Sequence, residues 1–177
     1  MNEKYYIKRI RKGDHDALDQ FIEILYPQVY IFIYRKVQDD IAKDLTQEVF
    51  IKFIRALPTY KSQGKVLNYL YCISSHICLN YWKRTKKDLP LEDELIEGDN
   101  NVYETVVHKL TQERLLEAMK ELKPEIQDIM ILKYFEQYTF KEIADIYHLN
   151  ISTVKTRHYQ ALIRLRKILE RSQENEN

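Results

Sequence analysis

Residues Tyr138 to Arg166, YTFKEIADIYHLNISTVKTRHYQALIRLR, have the pattern of two helices joined by a tight turn. Thr139 and Glu142 are spaced as a capping box, in which the threonine oxygen accepts from the backbone N–H three residues on while the glutamate reaches back. The first helix is therefore predicted to begin at this pair. Ile143 and Tyr147 fall on its apolar face, and small Ala144 beside them lets a second helix cross closely.

The second helix of this stretch carries hydroxyl and cationic side chains on its outward face. Leu149 is predicted to be buried in the turn, Asn150 to cap the second helix and Val154 to be its first inward residue. His148 precedes them at a position where positive φ usually favours glycine. Hydroxyls and cations together suit the major groove, where they reach base edges and phosphates. The pattern predicts a helix-turn-helix whose second helix reads DNA with Ser152, Thr153, Lys155, Thr156, Arg157 and Tyr159.

This helix-turn-helix resembles region 4, the promoter-reading domain of bacterial sigma factors, and a second motif points to the same family. The stretch Asp39 to Leu57, DDIAKDLTQEVFIKFIRAL, is similar to region 2.2, whose recurring pattern is Asp-x-x-x-Asp-Leu-x-Gln-Glu-x-Phe. The residues that match this pattern are Asp40, Asp44, Leu45, Gln47, Glu48 and Phe50.

The stretch Lys65 to Lys87 resembles regions 2.3 and 2.4 of the same proteins. Tyr69-Leu70-Tyr71 stands where the family usually has Trp-Leu-Tyr, and a basic run of Lys83, Arg84, Lys86 and Lys87 closes the segment. The size of the chain, with no region 1.1 or region 3 domain, is similar to that of the extracytoplasmic-function group.

Composition favours an all-α protein and gives no support to an enzyme. The 177 residues include only 3 glycines and 4 prolines, with long runs of helix formers between them. Scarce glycine argues against phosphate-binding loops, and no HExxH, GxSxG or paired-cysteine zinc pattern occurs. Cys72 and Cys78 are interpreted as small buried hydrophobes. We therefore expect no catalytic activity, no cofactor and no metal site.

The distribution of charge fits a protein with two kinds of partner. The formal net charge is +1, but cations cluster at Lys4–Lys12, Lys83–Lys87 and Lys155–Arg171, while acids cluster at Asp39–Glu48 and Asp88–Asp99. Solvated helix faces are the alternative explanation of any single cluster. No apolar run approaches the length of a membrane span and the N-terminus is too polar for a signal peptide, so we expect a cytoplasmic protein without membrane insertion.

Two small helical domains joined by a flexible acidic linker are predicted. Helices from Asp14, over Ile41–Leu57 and over Val66–Lys83 make a first domain of residues 1–87, with Pro27 expected to kink or divide the first of them. Residues 88–101, DLPLEDELIEGDNN, form the linker. Residues 102–172 form the helix-turn-helix domain, and residues 173–177 a frayed tail.

The family resemblance implies a role for each part of the chain. Asp44, Gln47 and Glu48 would dock on the clamp helices of core RNA polymerase, unless they are an ordinary exposed helix face. Tyr69, Tyr71, Tyr81 and Trp82 are interleaved with cations, and such a surface can hold unstacked bases and their backbone. Tyr81 is expected in the core, since it lies on the apolar stripe Val66, Leu70, Ile73, Ile77 and Tyr81. The residues implied for −10 DNA are Lys65, Tyr69, Tyr71, His76, Asn80, Lys83 and Arg84, with the loop Thr59 to Lys65 contributing the pocket.

The second helix of the helix-turn-helix would read the −35 element. Gln160 joins its DNA-reading set, at a position where related proteins often carry arginine, and glutamine there can pair with adenine. The implied function is a sigma factor that brings core RNA polymerase to promoter DNA and helps open the −10 region, with an anti-sigma factor as a further possible partner. The alternative is a stand-alone LuxR-type regulator, a dimer that binds palindromic duplex DNA without polymerase. A helical adaptor without a nucleic-acid role is the third class.

Overall fold

A computed structural model describes residues 2–38, 40–61, 65–85 and 111–175, with side chains to Arg171. The chain divides into two compact units, Met1–Arg84 and Thr85–Asn177. Each regular element in the described residues is a helix, as the sequence predicts. The first unit contains α1 (Glu3–Ile10), α2 (His15–Val37), α3 (Ala42–Ala56) and α4 (Val66–Thr85); the second contains α5 (Gln112–Met119), α6 (Pro124–Tyr134), α7 (Phe140–Tyr147) and α8 (Ile151–Asn175).

Several predicted segments lie outside the described residues. They include the acidic linker 88–101, the start of the second domain at Val102 and the basic residues Lys86 and Lys87. The domain limits therefore stay predictions. Residues 173–175 of the predicted frayed tail continue the helix α8.

Local signals set the ends of α2. Asp14 is its N-cap, because its side chain accepts from the backbone N–H of Ala17 at 3.0 Å. The Ala17 amide and then the Arg9 guanidinium lower the pKa of the Asp14 carboxyl. The helix ends at Gln38, whose φ of 50° is left-handed. Pro27 lies inside the helix without dividing it.

Aromatic side chains dominate the core of the first unit. Phe21, Phe32 and Phe53 are fully buried, and the ring centroids of Tyr71 and Phe32 lie 4.6 Å apart. The predicted apolar stripe of α4 is partly wrong. Val66, Leu70 and Ile77 are buried, but Ile73 and Tyr81 are only half-buried. Tyr71 and Trp82 take the core positions instead, and the Lys36 ammonium lies 5.3 Å above the Trp82 ring.

The second unit is built around α6. Pro124 occupies its first turn, and Ile126, Ile129 and Leu132 are buried. Gln127 is also buried and donates its side-chain amide to the carbonyls of Met119 and Leu122, at 2.7 and 3.0 Å. These bonds satisfy carbonyls of the last residue of α5 and of the turn that follows it.

No helix in the described part of the chain combines the length and the apolar character that crossing a membrane requires.

Candidate nucleic-acid interface

The first helix of the predicted helix-turn-helix, α7, begins with the capping box that the sequence indicates. The Thr139 hydroxyl oxygen accepts from the Glu142 backbone N–H at 3.2 Å, and the Glu142 carboxylate accepts from the Thr139 backbone N–H at 2.8 Å. Ile143, Ala144 and Ile146 are buried on the inner face of α7. The capping box and the buried Ile143 and Ala144 confirm this part of the prediction, whereas Tyr147 is half-buried.

The turn after α7 places a non-glycine residue in left-handed backbone. His148 has a φ of 53°, and its backbone N–H donates to the carbonyl of Ala144. The N–H of Leu149 donates to the same oxygen at 2.9 Å. The positive φ predicted for this position is confirmed, while Leu149 is half-buried rather than buried.

The first turns of α8 have a distinct inner and outer side. Val154 and His158 point inward, with exposed fractions of 0% and 5%. Thr156 points the opposite way, and Ser152 and Gln160 lie within about 40° of it at the 3.6-residue period. Lys155 and Arg157 lie roughly 100° to either side. Hydroxyls and an amide therefore occupy the middle of this face, and cations flank it.

The residues predicted to contact the −35 element differ in their solvent exposure. Ser152, Lys155 and Thr156 are exposed, whereas Thr153, Arg157, Tyr159 and Gln160 are half-buried. The phenolic oxygen of Tyr159 is buried. Its hydroxyl is thus not exposed to a DNA groove.

His158 holds the inner side of α8 against α6 and α7. Its Nε2 lies 2.9 Å from the Tyr134 hydroxyl, and its ring meets Phe140 edge-on with centroids 4.9 Å apart. Burial, followed by the nearby Lys133 cation, lowers the pKa of His158 to about 4. Sequence reasoning did not identify this contact. Only the inward position of His158, four residues after Val154, could have indicated it.

Most of the residues predicted to contact −10 DNA share the outer side of α4. Tyr69, His76 and Lys83 recur at a spacing of seven, which brings them to one face. His76, Asn80, Lys83 and Arg84 are exposed, as is Lys65 just before the helix, while Tyr69 is half-buried.

Tyr71 is the exception to this arrangement, and its predicted contact with DNA is wrong. Its side chain is fully buried on the opposite side of α4, against Phe32. Trp82, which was expected among the stacking aromatics, is also buried at 4% exposure. In this helix the interleaved aromatic residues serve the core as well as the surface.

Tyr60 extends the α4 surface beyond the helix. Its ring centroid lies 5.0 Å from that of Tyr69 and 6.1 Å from that of Phe53. Burial raises the pKa of Tyr60, with smaller contributions from Glu3 and Tyr69. Sequence reasoning did not single it out, although it belongs to the loop predicted to form the base pocket.

A third surface lies on the outer side of α3. Leu45, Val49 and Phe53 are buried on the inner side, whereas Asp44 and Gln47 are exposed. Glu48 is half-buried and pairs with Lys52 at 2.9 Å. One helical turn after Gln47 lies Ile51, which is 49% exposed. The surface thus combines acids and an amide with an exposed apolar side chain.

Comparison with known proteins identifies both units. Residues 21–88 match the family model of Sigma-70 region 2, and residues 112–165 match that of Sigma-70, region 4. The chain is 34% identical to RNA polymerase sigma factor SigV of Bacillus subtilis over 136 residues, which are 74% of this chain and 76% of the relative. It is 26% identical to RNA polymerase sigma factor YlaC of the same organism, over 91% of this chain and 96% of the relative.

A solved structure has a similar fold. The sigma factor RpoE from Bartonella quintana, determined in complex with the anti-sigma factor NepR, aligns with a TM-score of 0.62 at 18% identity. The alignment covers 86% of this chain and 96% of that chain.

Proposed function

The chain belongs to the RNA polymerase sigma factors, in their extracytoplasmic-function group, and we propose which step of promoter selection each of its surfaces performs. The protein directs core RNA polymerase to specific promoters and helps open the −10 region. Its three working surfaces are the outer sides of α3, α4 and α8. Residues 88–101 link the two domains.

The outer side of α8 reads the −35 element. Thr156 and Ser152 point most directly outward and meet base edges, and Gln160 lies close enough to pair with an adenine. Lys155 and Arg157 flank this strip, where the phosphate backbones bordering a groove would lie. Sequence preference then comes from the centre of the face and general affinity from its edges.

The outer side of α4 holds the −10 element as it leaves the duplex. Tyr69 offers an aromatic face at one end, and Lys83 and Arg84 offer cations at the other. Single-stranded DNA is bound by this combination, because every base can stack on an aromatic ring while cations neutralise the backbone. His76 and Asn80 lie between the two ends and set the base preference.

The outer side of α3 docks on core RNA polymerase. Asp44, Gln47 and Glu48 supply the polar contacts, and Ile51, one helical turn after Gln47, supplies an apolar contact. Complementary charge fixes the orientation of such an interface and rejects partners of like charge. Glu48 can leave Lys52 at little cost, because an exposed ion pair contributes only about 0.5 kcal/mol.

The remaining features of this role follow from the family. The chain acts as a transcription initiation factor, and we propose that it has no catalytic activity of its own because the polymerase supplies the chemistry. It works where the polymerase works, in the cytoplasm. An anti-sigma factor is a further partner that we propose.

The observation that carries this proposal is the outer side of α8, where polar groups face away from the buried Val154 and His158. The test mixes the protein with core polymerase on genomic DNA and sequences the 5′ ends of the transcripts. New start sites that share one −35 and one −10 sequence are expected only when both proteins are present. Binding of a palindromic duplex in the absence of polymerase, with no new start site, would instead contradict the proposal.

A further inference from the structure

The N-terminal helix α1 contacts both ends of the segment that joins α3 to α4. Arg11, which follows α1, donates from Nε to the carbonyl oxygen of Leu57 at 2.9 Å and from Nη2 to the carbonyl oxygen of Tyr60. The Glu3 carboxylate accepts from the backbone N–H of Val66, the first residue of α4, at 3.0 Å. We call these three hydrogen bonds the α1 clamp.

The helix that carries the clamp is itself firmly placed. Ile7 is 5% exposed, and the ring of Tyr6 stacks on that of Phe21 in α2 with centroids 5.3 Å apart. Arg9 and Asp14 form an ion pair at 2.7 Å across the turn into α2. The backbone from which Glu3 and Arg11 extend is therefore held against α2.

The clamp holds the backbone segments that carry Tyr60 and Tyr69, the aromatic residues of the α4 surface. Arg11 holds the main chain of Tyr60, whose ring packs against Tyr69, and Glu3 holds the first turn of α4, which carries Tyr69 itself. The Glu3 carboxylate is close enough to contribute to the raised pKa of Tyr60. The clamp thus fixes the two tyrosines relative to one another from outside the helix that presents them.

We propose that Glu3 and Arg11 are positioning residues for recognition of the −10 element. Neither residue has to touch DNA, because both act through the placement of Tyr60 and Tyr69. The proposal rests on the function proposed above for α4. It adds that α1, which lies outside the region 2 match at residues 21–88, determines how accurately the −10 sequence is read.

The clamp can first be tested in the free protein by amide hydrogen exchange. Glu3→Ala removes the acceptor, so exchange of the Val66 N–H should become about tenfold faster, as expected for the loss of one charge-assisted hydrogen bond. Glu3→Gln keeps an acceptor oxygen and should retain most of the protection. Lys8→Ala, on the exposed side of α1, is the matched control and should leave the exchange unchanged.

Transcription with core polymerase then tests the role in promoter reading. Promoters mutated singly in the −10 element are compared with promoters mutated singly in the −35 element. For Glu3→Ala, discrimination among the −10 promoters should fall about tenfold, the change that corresponds to one hydrogen bond, and for Arg11→Ala, which loses two bonds, it should fall by at least as much. Discrimination among the −35 promoters should stay unchanged, and Glu3→Gln should restore the wild-type pattern. Arg11→Lys, which can keep one of the two bonds, should give an intermediate loss and replaces Arg11→Ala if that variant does not fold.

The outcomes separate this proposal from the one on which it rests. Faster exchange at Val66 with wild-type −10 discrimination would overturn it and leave α1 a purely stabilising role. An equal loss at both promoter elements would also overturn it, because general damage to the protein acts that way. Absence of any start site with the wild-type protein would contradict the sigma function itself.

Discussion

At the scale of single residues, the inner side of α8 contributes to stability and its outer side to the proposed reading of DNA. His158 contacts Tyr134 and Phe140 on the inner side, while Thr156 points outward between two cations. A change at His158 should therefore alter the fold, and a change at Thr156 should alter only the choice of DNA. Two predictions follow from this division.

The first prediction concerns pH. Above the ordinary His158 pKa of 6.5, the folded and unfolded chains both hold a neutral imidazole. As pH falls from 6.5 to about 4, the unfolded chain binds a proton that the folded chain does not, so stability falls and then levels off. At 1.36 kcal/mol per pH unit, the free energy of unfolding falls by at most roughly 3 kcal/mol over this range. A histidine NMR titration should give a midpoint near the lower value, and urea unfolding of His158→Gln should lack this component. A midpoint near 6.5 would contradict it.

The second prediction distinguishes the centre of the α8 face from its edges. Thr156→Ala should relax preference at one position of the −35 element, with a loss of roughly 1–3 kcal/mol on the preferred sequence. Lys155→Ala and Arg157→Ala should weaken all promoters about equally and lower the salt slope by about one. Binding over a salt series, with singly mutated −35 elements, measures both effects. If a cation variant changes preference at one position and leaves the slope intact, that cation reads bases instead.

At the scale of elements, signals that lie within a few residues of one another were read correctly from the sequence. The capping box of α7 and the left-handed turn at His148 depend on backbone chemistry within one helical turn. The assignment of Tyr71 failed because a core tyrosine and a DNA-stacking tyrosine look alike in a helix rich in both. Phe32, which decides between them, is 39 residues away along the chain. The bonds of the α1 clamp span 46 to 63 residues, and no local pattern predicts them.

The turn between α7 and α8 gives the third prediction. His148→Gly should stabilise the protein by about 1 kcal/mol, because a left-handed φ costs a residue with a Cβ atom about that much. Asp145→Gly is the matched control within α7 and should destabilise by about a few tenths of a kcal/mol, since glycine is slightly less favourable than aspartate in a helix interior. Urea unfolding of both variants measures the difference. Equal destabilisation by the two glycines would mean that the turn holds no strain.

The fourth prediction tests the corrected position of Tyr71 in α4. Tyr71→Ala should destabilise the protein by roughly 3–5 kcal/mol, the range for truncating a buried aromatic residue. His76→Ala, on the exposed side of the same helix, should stay within about 0.5 kcal/mol of wild type and change only −10 preference. Thermal unfolding and transcription should be recorded for both. A stable Tyr71→Ala protein with altered −10 preference would restore the original assignment.

At the scale of the whole molecule, the proposed functions fall in different units. The α3 and α4 surfaces belong to Met1–Arg84 and the α8 surface to Thr85–Asn177. The order of the two motifs was enough to predict this organisation from the sequence. Variants in one unit should therefore leave the function of the other intact.

The fifth prediction follows from that separation. Glu48→Lys and Asp44→Lys should weaken binding to core polymerase because they place like charge at the proposed interface. Binding to −35 DNA should remain unchanged. Glu113→Lys, which reverses an exposed acid on α5, controls for net charge. Pull-down with core enzyme measures the effect, and full retention of both α3 variants with an intact fold would remove the docking assignment.

The contacts of the α1 clamp are made with main-chain atoms, and this has a consequence for how such proteins diverge. Arg11 donates to two backbone carbonyl oxygens, and Glu3 accepts from one backbone amide. These main-chain groups remain when the side chains around them are exchanged. The loop between α3 and α4 can therefore accumulate substitutions while its anchoring points stay in place. A lineage can therefore acquire a new promoter preference through substitutions in that loop while Glu3 and Arg11 still hold its backbone. A loop transplanted from a relative would be held by the same two residues.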